Sequence, residues 1–392
     1  MSATPPFLLT STERVYMGNR IEEALVAELD HLGAKRVFVL IGSTLRHRTD
    51  VGERVTNALG ERMAAMYDGI RPHGPRSDIL AAADAARQAD ADLIVAVGGG
   101  SVTDAGKLIP IILKHNLRQH DDMDAYHVYV DENGEVHHPV FDAPDIRTIC
   151  CPTTLSGGEF NPLSGATNEK VGQKFGTEHR MAAPVSVILD PSITVYTPEW
   201  LWFSTGIRAV DHALEALGSF ASNAYADGVA DSALRLLSRA MPAVKADPTD
   251  LGARLDCQIG AWQSMVPILG GVPMGASHAI GHILGGTCDV PHGYCSCVMA
   301  PSVLAFNEPV NGERQQRIIA CMGGDEPASV QVDRFIRSLG MPRSLTAVNV
   351  SVDQLDHIAA YTMNDFWART NPRPIREAAD VRQILELALT DD

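Results

Sequence analysis

Four histidines and one arginine, carried on two segments, are the residues of this chain best placed to do chemistry. In GIRAVDHALEAL (206–217) the apolar spacing predicts a helix, and Arg208 and His212, four residues apart, share one of its faces. In GASHAIGHILGGTCDVPHG (275–293), His278 and His282 share a face of a second helix. His292 follows a Gly-Gly break and a proline, which places it in a loop able to fold back toward them. Imidazole binds transition metals and moves protons near neutral pH. Guanidinium has no lone pair to offer a metal, but it donates paired N–H bonds to carbonyl, enolate or carboxylate oxygens. The cluster therefore points either to a metal centre or to acid–base work beside a fixed positive charge. One histidine near an apolar face is usually structural; four in two segments argue for a site.

A second set of residues has the chemistry of an anion cradle. VAVGGGSVTDAGKLI (95–109) puts Gly98, Gly99, Gly100 and Ser101 where an apolar strand gives way to a helix starting at Ser101. Unpaired N–H groups and the positive dipole end meet a ligand there, and glycine lets the backbone come close. A pyrophosphate fits this pattern, and so does a plain tight turn. Asp104, one turn in, either accepts from ribose or nicotinamide groups or caps the helix. CPTTLSGGE (151–159) repeats the strand-to-loop change with Thr153, Thr154 and Ser156, and two such loops on one crevice point to a dinucleotide. After the first strand, LIGSTLRHR offers Gly42 and Ser43 with no carboxylate for a ribose 2′-hydroxyl, while Arg46 and Arg48 stand close enough in sequence to meet a 2′-phosphate. NADPH, or indifference between NADPH and NADH, is the expectation.

The elements that must position these residues fall into two halves. RVFVLIG (36–42), ADLIVAVGGG (91–100) and TICCPTT read as strands, preceded by helical patterns such as RIEEALVAELDHLGA and SDILAAADAARQADA; this alternation predicts a parallel sheet between helices. VYVDENGEVHHPV (128–140) reads as a hairpin turning at Asn-Gly, with His137 and His138 exposed and given no role. From about residue 200 the periodicity is helical. We place an α/β nucleotide-binding domain at 1–187 and an all-helical domain carrying the histidines at 188–392, packed with a cleft between them. The 392 residues carry 48 acidic and 32 basic side chains, a net charge of -16, which disfavours nucleic acid or an anionic membrane and favours a small-molecule partner. The start of the chain lacks the pattern of a signal peptide, so the expected address is cytoplasmic. Seven cysteines without a CxxC pair read as reduced, structural thiols.

GGGSVTDAGK, PTTLSGGE, ILDPSITVYTP, GIRAVDHALEA, GASHAIGHILGGTCDVPHG and NDFWARTNPRP occur in the order and spacing of the iron-dependent (group III) alcohol dehydrogenases, and the chain resembles that family over nearly its whole length. The resemblance implies a dehydroquinate synthase-like fold, a homodimer, and hydride transfer between NAD(P)H and an alcohol or carbonyl carbon. It also implies that Lys174 lies near cofactor or substrate, against the alternative of a solvated lysine in a turn. Members with iron or zinc hold it through one Asp and three His. Carried over, the three are His212, His278 and His292, while His282 matches a non-ligand histidine near the nicotinamide.

The Asp position falls on Arg208. Unit charges 4 Å apart interact by about 4 kcal/mol at an effective dielectric of 20, and a divalent ion beside Arg meets about twice that. A metal-free site is therefore expected, in which Arg208 binds the substrate oxygen and His282 or His212 supplies the proton to an aldehyde or oxo-acid. The maleylacetate reductase branch also departs at this position, though with an uncharged residue. Four other readings stay open: a three-histidine iron or zinc alcohol dehydrogenase with Arg208 swung aside, a simple salt bridge between Arg208 and a neighbouring carboxylate, a lyase or cyclase on the same fold, and a nucleotide-binding pseudoenzyme.

Overall fold

The computed structural model describes residues 6–131 and 136–390. In the first half, ten strands run β1 (Arg14–Met17), β2 (Val37–Ile41), β3 (Met63–Tyr67), β4 (Leu93–Gly98), β5 (Tyr129–Val130), β6 (Val136–His137), β7 (Arg147–Pro152), β8 (Leu163–Asn168), β9 (Gln173–Glu178) and β10 (Ser186–Leu189). Six of them form one parallel sheet in the order β1-β10-β7-β4-β2-β3. Between them lie the helices α1 (Ile21–Leu32), α2 (Ser43–Arg48), α3 (Val51–Leu59), α4 (Arg76–Gln88) and α5 (Gly100–Lys114), and α6 (Pro191–Thr194) follows β10.

The inner strands are apolar on both faces because helices cover both. Val37, Val39 and Ile41 point to a core shared with Leu25 and Leu29 of α1 and Val51 and Val55 of α3. Phe38 and Leu40 point the other way, to Ile79 of α4 and Leu108 and Ile109 of α5. Gly106 allows α5 to lie close on β4, since a Cβ there would meet the Ala96 Cβ at 2.7 Å. β5 and β6 pair antiparallel as the hairpin expectation requires, but its Asn-Gly turn lies outside the described residues.

The second half is helical: α7 (Glu199–Gly218), α8 (Ala224–Ala246), α9 (Leu251–Leu269), α10 (Ala276–Thr287), α11 (His292–Met322), α12 (Ala328–Ser338), α13 (Leu355–Thr362) and α14 (Ala378–Leu387). α7 is buried along most of its length because α8, α9 and α11 all pack on it. A separate core joins α10, α11, α13 and α14.

The α/β unit runs over 10–197 and the helical unit over 198–390 together with residues 6–9, against an expected boundary at 187. β10 lies between β1 and β7 in the sheet, and the chain after it stays on the α/β unit. Tyr196 donates to Asp50 (2.8 Å) and Thr197 to the Thr153 carbonyl (2.7 Å). All seven cysteines are unpaired and six are buried. Among the described residues no helix is long and apolar enough to cross a membrane.

Candidate active site

The carboxyl ends of the inner strands collect most of the expected coenzyme residues. Gly42 donates to the Val97 carbonyl (3.0 Å), and Thr153 donates to that of Gly98 (3.0 Å), so the ends of β2, β4 and β7 adjoin. Gly42 and Ser43 begin α2, while α5 begins at Gly100, one residue before the expected Ser101. No side chain caps the N-terminus of α5, whose 15 residues aim a dipole at the loop. The glycines keep the loop open: a Cβ on Gly99 would stand 3.2 Å from Thr154 Cγ2, and one on Gly100 3.7 Å from Ser156 Oγ. Thr154 and Ser156 bring their hydroxyls within 3.4 Å of each other. Ser101 is already engaged, accepting from the His73 amide at 3.0 Å.

The polar residues deeper in this unit are paired with one another. Lys174 on β9 donates to Asp104 at 2.9 Å, and Lys107 lies 3.4 Å from the same carboxylate. Burial works to raise the Asp104 carboxyl, but the two ammonium groups outweigh it and hold the group below its ordinary value. Lys107 is fully buried and donates to the carbonyls of Gly158, Asn161 and Leu163 at 2.8, 3.1 and 2.6 Å, which anchors the second loop from behind. Arg46, read as a 2′-phosphate ligand, donates to Asp68 at 3.0 Å instead, and His47 meets the other oxygen of that carboxylate at 2.5 Å. Arg48 stays exposed.

In the helical unit, Arg208 and His212 do share a face of α7, and both are buried at 6 % exposure. The close fit comes from small residues. A Cβ on Gly293 would meet that of Ser204 at 2.7 Å, and one on Gly281 would come 3.2 Å from Cys295 and 3.6 Å from Arg208 Nη1. His212 and His278 have ring centroids 5.0 Å apart, with Ser264 Oγ 3.4 Å from His212 Nδ1. Burial first, and then charge repulsion that includes the Arg208 cation, push both imidazoles well below their ordinary value, so they are neutral.

Among the described residues Arg208 makes one hydrogen bond, from Nη1 to Ser296 Oγ at 3.2 Å. Ser296 in turn donates to Asp211 Oδ2 at 2.7 Å, and Ser277 donates to the same oxygen at 2.7 Å. Glu215 accepts from the amides of Gly275 and Ser277, both at 2.9 Å, and so caps the start of α10. His278 Nδ1 lies 2.7 Å from Glu215 Oε2 and 3.5 Å from Asp211 Oδ2, but neither ring nitrogen is in line for a hydrogen bond. Burial raises both carboxyls above the ordinary carboxylate range; repulsion from Glu215 adds to it at Asp211, against the pull of Arg208, while at Glu215 the Gly275 and Ser277 amides and then Arg208 work the other way.

The remaining two histidines pair with each other. His282 is partly exposed, and its Nδ1 is 2.8 Å from Asp365 Oδ2. Its ring stacks on that of His292 at 6.3 Å and an interplanar angle of 7°. His292, expected in a loop, is the first residue of α11, because Pro291 in extended conformation starts the helix there.

The three histidines that the resemblance implies as metal ligands are not gathered into one set. Among the described residues the only three acidic, histidine or cysteine groups whose donor atoms lie within 4.8 Å of one another are Asp211, Glu215 and His278, so His212, His278 and His292 do not converge as a ligand set. Within the set that does converge, Glu215 is committed to the α10 amides and Asp211 Oδ2 to two hydroxyls. Arg208, at the position where the resemblance implies an acidic ligand, draws on both carboxyls electrostatically.

Two residues of consequence escaped the sequence reading. Ser296 stands one helical turn beyond His292, a spacing that puts both on one face of α11. Asp365 is the second residue of the conspicuous NDFWARTNPRP segment, but only the fold brings it to His282.

Comparison with known proteins covers both units. Residues 12–191 match the profile described as "Iron-containing alcohol dehydrogenase", and residues 202–389 match the C-terminal region of the Fe-containing alcohol dehydrogenase family. A maleylacetate reductase of Rhizobium sp. is 31% identical, covering 98% of this chain and 97% of its own. One from Sphingobium indicum is 29% identical, covering 96% and 95%. The crystal structure of maleylacetate reductase from Agrobacterium tumefaciens superposes with a TM-score of 0.82 at 29% identity, over 99% of each chain.

Proposed function

Because the chain belongs to the iron-containing alcohol dehydrogenase family and is an NAD(P)-dependent oxidoreductase, we propose that it reduces a small oxo-acid of the maleylacetate kind, and does so without a metal ion. The observation that carries this reading is the state of Arg208. It is buried, it spends one of its five N–H donors on the protein, and among the described residues no carboxylate oxygen reaches it within ion-pair distance. A cation buried without a contacting counter-ion is costly, and an oxygen-bearing substrate would supply the missing acceptors. The salt-bridge alternative loses support for the same reason, since Asp211 meets Arg208 through Ser296.

The coenzyme would be held by Gly98, Gly99, Gly100 and Ser101 at the start of α5, by Thr153, Thr154 and Ser156, and by Gly42 and Ser43. When bound, it supplies a hydride to the carbonyl carbon. Arg208 holds the carbonyl oxygen and stabilises the negative charge that gathers on it. His282 supplies the proton: it is the more exposed of the two candidates, whereas His212 is buried and kept neutral. With no carboxylate after β2, and with Arg46 committed to Asp68, either NADH or NADPH would be accepted.

The test is metal analysis of the purified enzyme combined with oxo-acid-dependent loss of dihydronicotinamide absorbance before and after chelation. Turnover that survives chelation in metal-free protein is expected. Activity that vanishes on chelation and returns with iron or zinc sinks the metal-free reading. Failure of every aldehyde and oxo-acid, while coenzyme still binds, would favour a lyase, a cyclase or a binding protein.

A further inference from the structure

Asp365 is fixed from several sides. Its Oδ1 accepts from the Trp367 amide at 2.9 Å, so the residue caps the 3-10 turn Phe366–Thr370. That turn is stapled across the start of α10: Thr370 donates to the Met274 carbonyl (2.6 Å), and Asn371 accepts from the Ala276 amide (3.2 Å) while exchanging hydrogen bonds with Asn307 at 2.7 and 3.1 Å. The second oxygen, Oδ2, is left for His282 Nδ1 at 2.8 Å. A carboxylate only accepts, so the proton between them belongs to Nδ1.

From this geometry we propose that Asp365 is a positioning residue, fixing His282 in the Nδ1–H tautomer and leaving Nε2 as the nitrogen that exchanges a proton with the substrate oxygen. The inference rests on the reading of His282 as proton donor. Hydride and its electron pair come from the dihydronicotinamide, which is oxidised. The ring first takes a solvent proton on Nε2 to become an imidazolium; that proton then moves to the carbonyl oxygen and leaves the neutral Nδ1–H ring, ready to be reprotonated at Nε2. In the opposite tautomer Nδ1, facing Asp365, is the basic nitrogen, and this exchange stops.

Asp365→Asn makes the test sharp. The cap at Trp367 requires an oxygen, so the amide nitrogen must face His282. The ring must then accept at Nδ1 and carry its proton on Nε2. Histidine-selective 15N labelling with long-range proton–nitrogen correlation reads the tautomer directly, and a His282→Gln spectrum assigns the signal. The expected result is Nδ1–H in the wild-type enzyme and Nε2–H in Asp365→Asn. With it, kcat for oxo-acid reduction should fall by about a hundredfold, the order of a general-acid contribution, while KM and coenzyme Kd stay near wild type.

An Nε2–H ring in the wild-type protein, or the same tautomer in both proteins, overturns the proposal. A switched tautomer with unchanged kcat overturns the role of Nε2. If Asp365→Asn does not fold, the wild-type tautomer alone decides. Should His282→Gln keep full kcat, the assignment of the proton donor fails separately, whatever the tautomer.

Discussion

Replacing Arg208 by methionine removes the charge and all five donors while keeping most of the side-chain volume, and it tests the proposed chemistry most directly. Only one donor is spent on the protein, at Ser296. If two of the others hold the substrate oxygen in the transition state, each is worth about 1.5–3 kcal/mol as a charge-assisted hydrogen bond. At about 1.4 kcal/mol per factor of ten, their loss should lower kcat/KM by about 10²–10⁴. Folding should not suffer equally: the guanidinium is 6 % exposed and has no ion pair among the described residues, so an apolar replacement sheds a desolvation cost. The melting temperature of Arg208→Met is therefore expected to match or exceed that of wild type, with coenzyme affinity unchanged. Steady-state reduction of an oxo-acid, thermal denaturation and fluorescence titration of NADPH measure the three quantities. A folded Arg208→Met enzyme with wild-type kcat/KM would refute the argument that this cation acts on the substrate.

Ser296→Ala deletes the hydroxyl linking Arg208 to Asp211, and at about 1–1.5 kcal/mol for one hydrogen bond it should lower kcat/KM about fivefold to tenfold; an unchanged value means that the link does not orient the guanidinium. Gly106→Ala drives a Cβ to 2.7 Å from that of Ala96 and should destabilise the α/β unit by about 1–3 kcal/mol, read as a lower urea midpoint. Burial lifts the Glu159 carboxyl from its ordinary 4.5 to about 7, so the stability tied to its neutral form is full below 4.5 and lost as pH rises through 7. Glu159→Gln should accordingly gain on wild type as pH rises, by up to about 3 kcal/mol at about 1.4 kcal/mol per pH unit; urea titrations at about pH 5 and about pH 8 test this, and a pH-independent difference rejects it.

Most of the scaffold was legible because its signals are local. Apolar runs ending in glycine gave β2 and β4, and the hydroxyl-rich loops fell where parallel strands end. The Arg208–His212 spacing alone put both side chains on one face of α7. What the sequence hides is partner choice. Arg46 stands two residues before Arg48, yet it is Asp68, on a neighbouring strand's end, that claims it. Asp104, a coenzyme ligand or a helix cap by its position, and Lys174, a ligand or a solvated lysine, form an ion pair with each other across 70 positions that neither segment announces. The domain boundary slipped because β10 inserts between β1 and β7, a long-range pairing that no run of residues announces. His292 was misplaced for a local reason, since a glycine pair and a proline read equally well as a loop or as the end of one helix and the start of another.

Glu215 joins α7 to the first amides of α10, which makes the meeting of those two helices a welded joint instead of a hinge. Side chains mounted on either helix then keep their spacing whatever arrives between them. Such a site has no slack with which to accommodate a longer or shorter guest. Across a series of oxo-acids that grow one methylene at a time, turnover should drop in a steep step at the first wrong length, as with a gauge and not a glove.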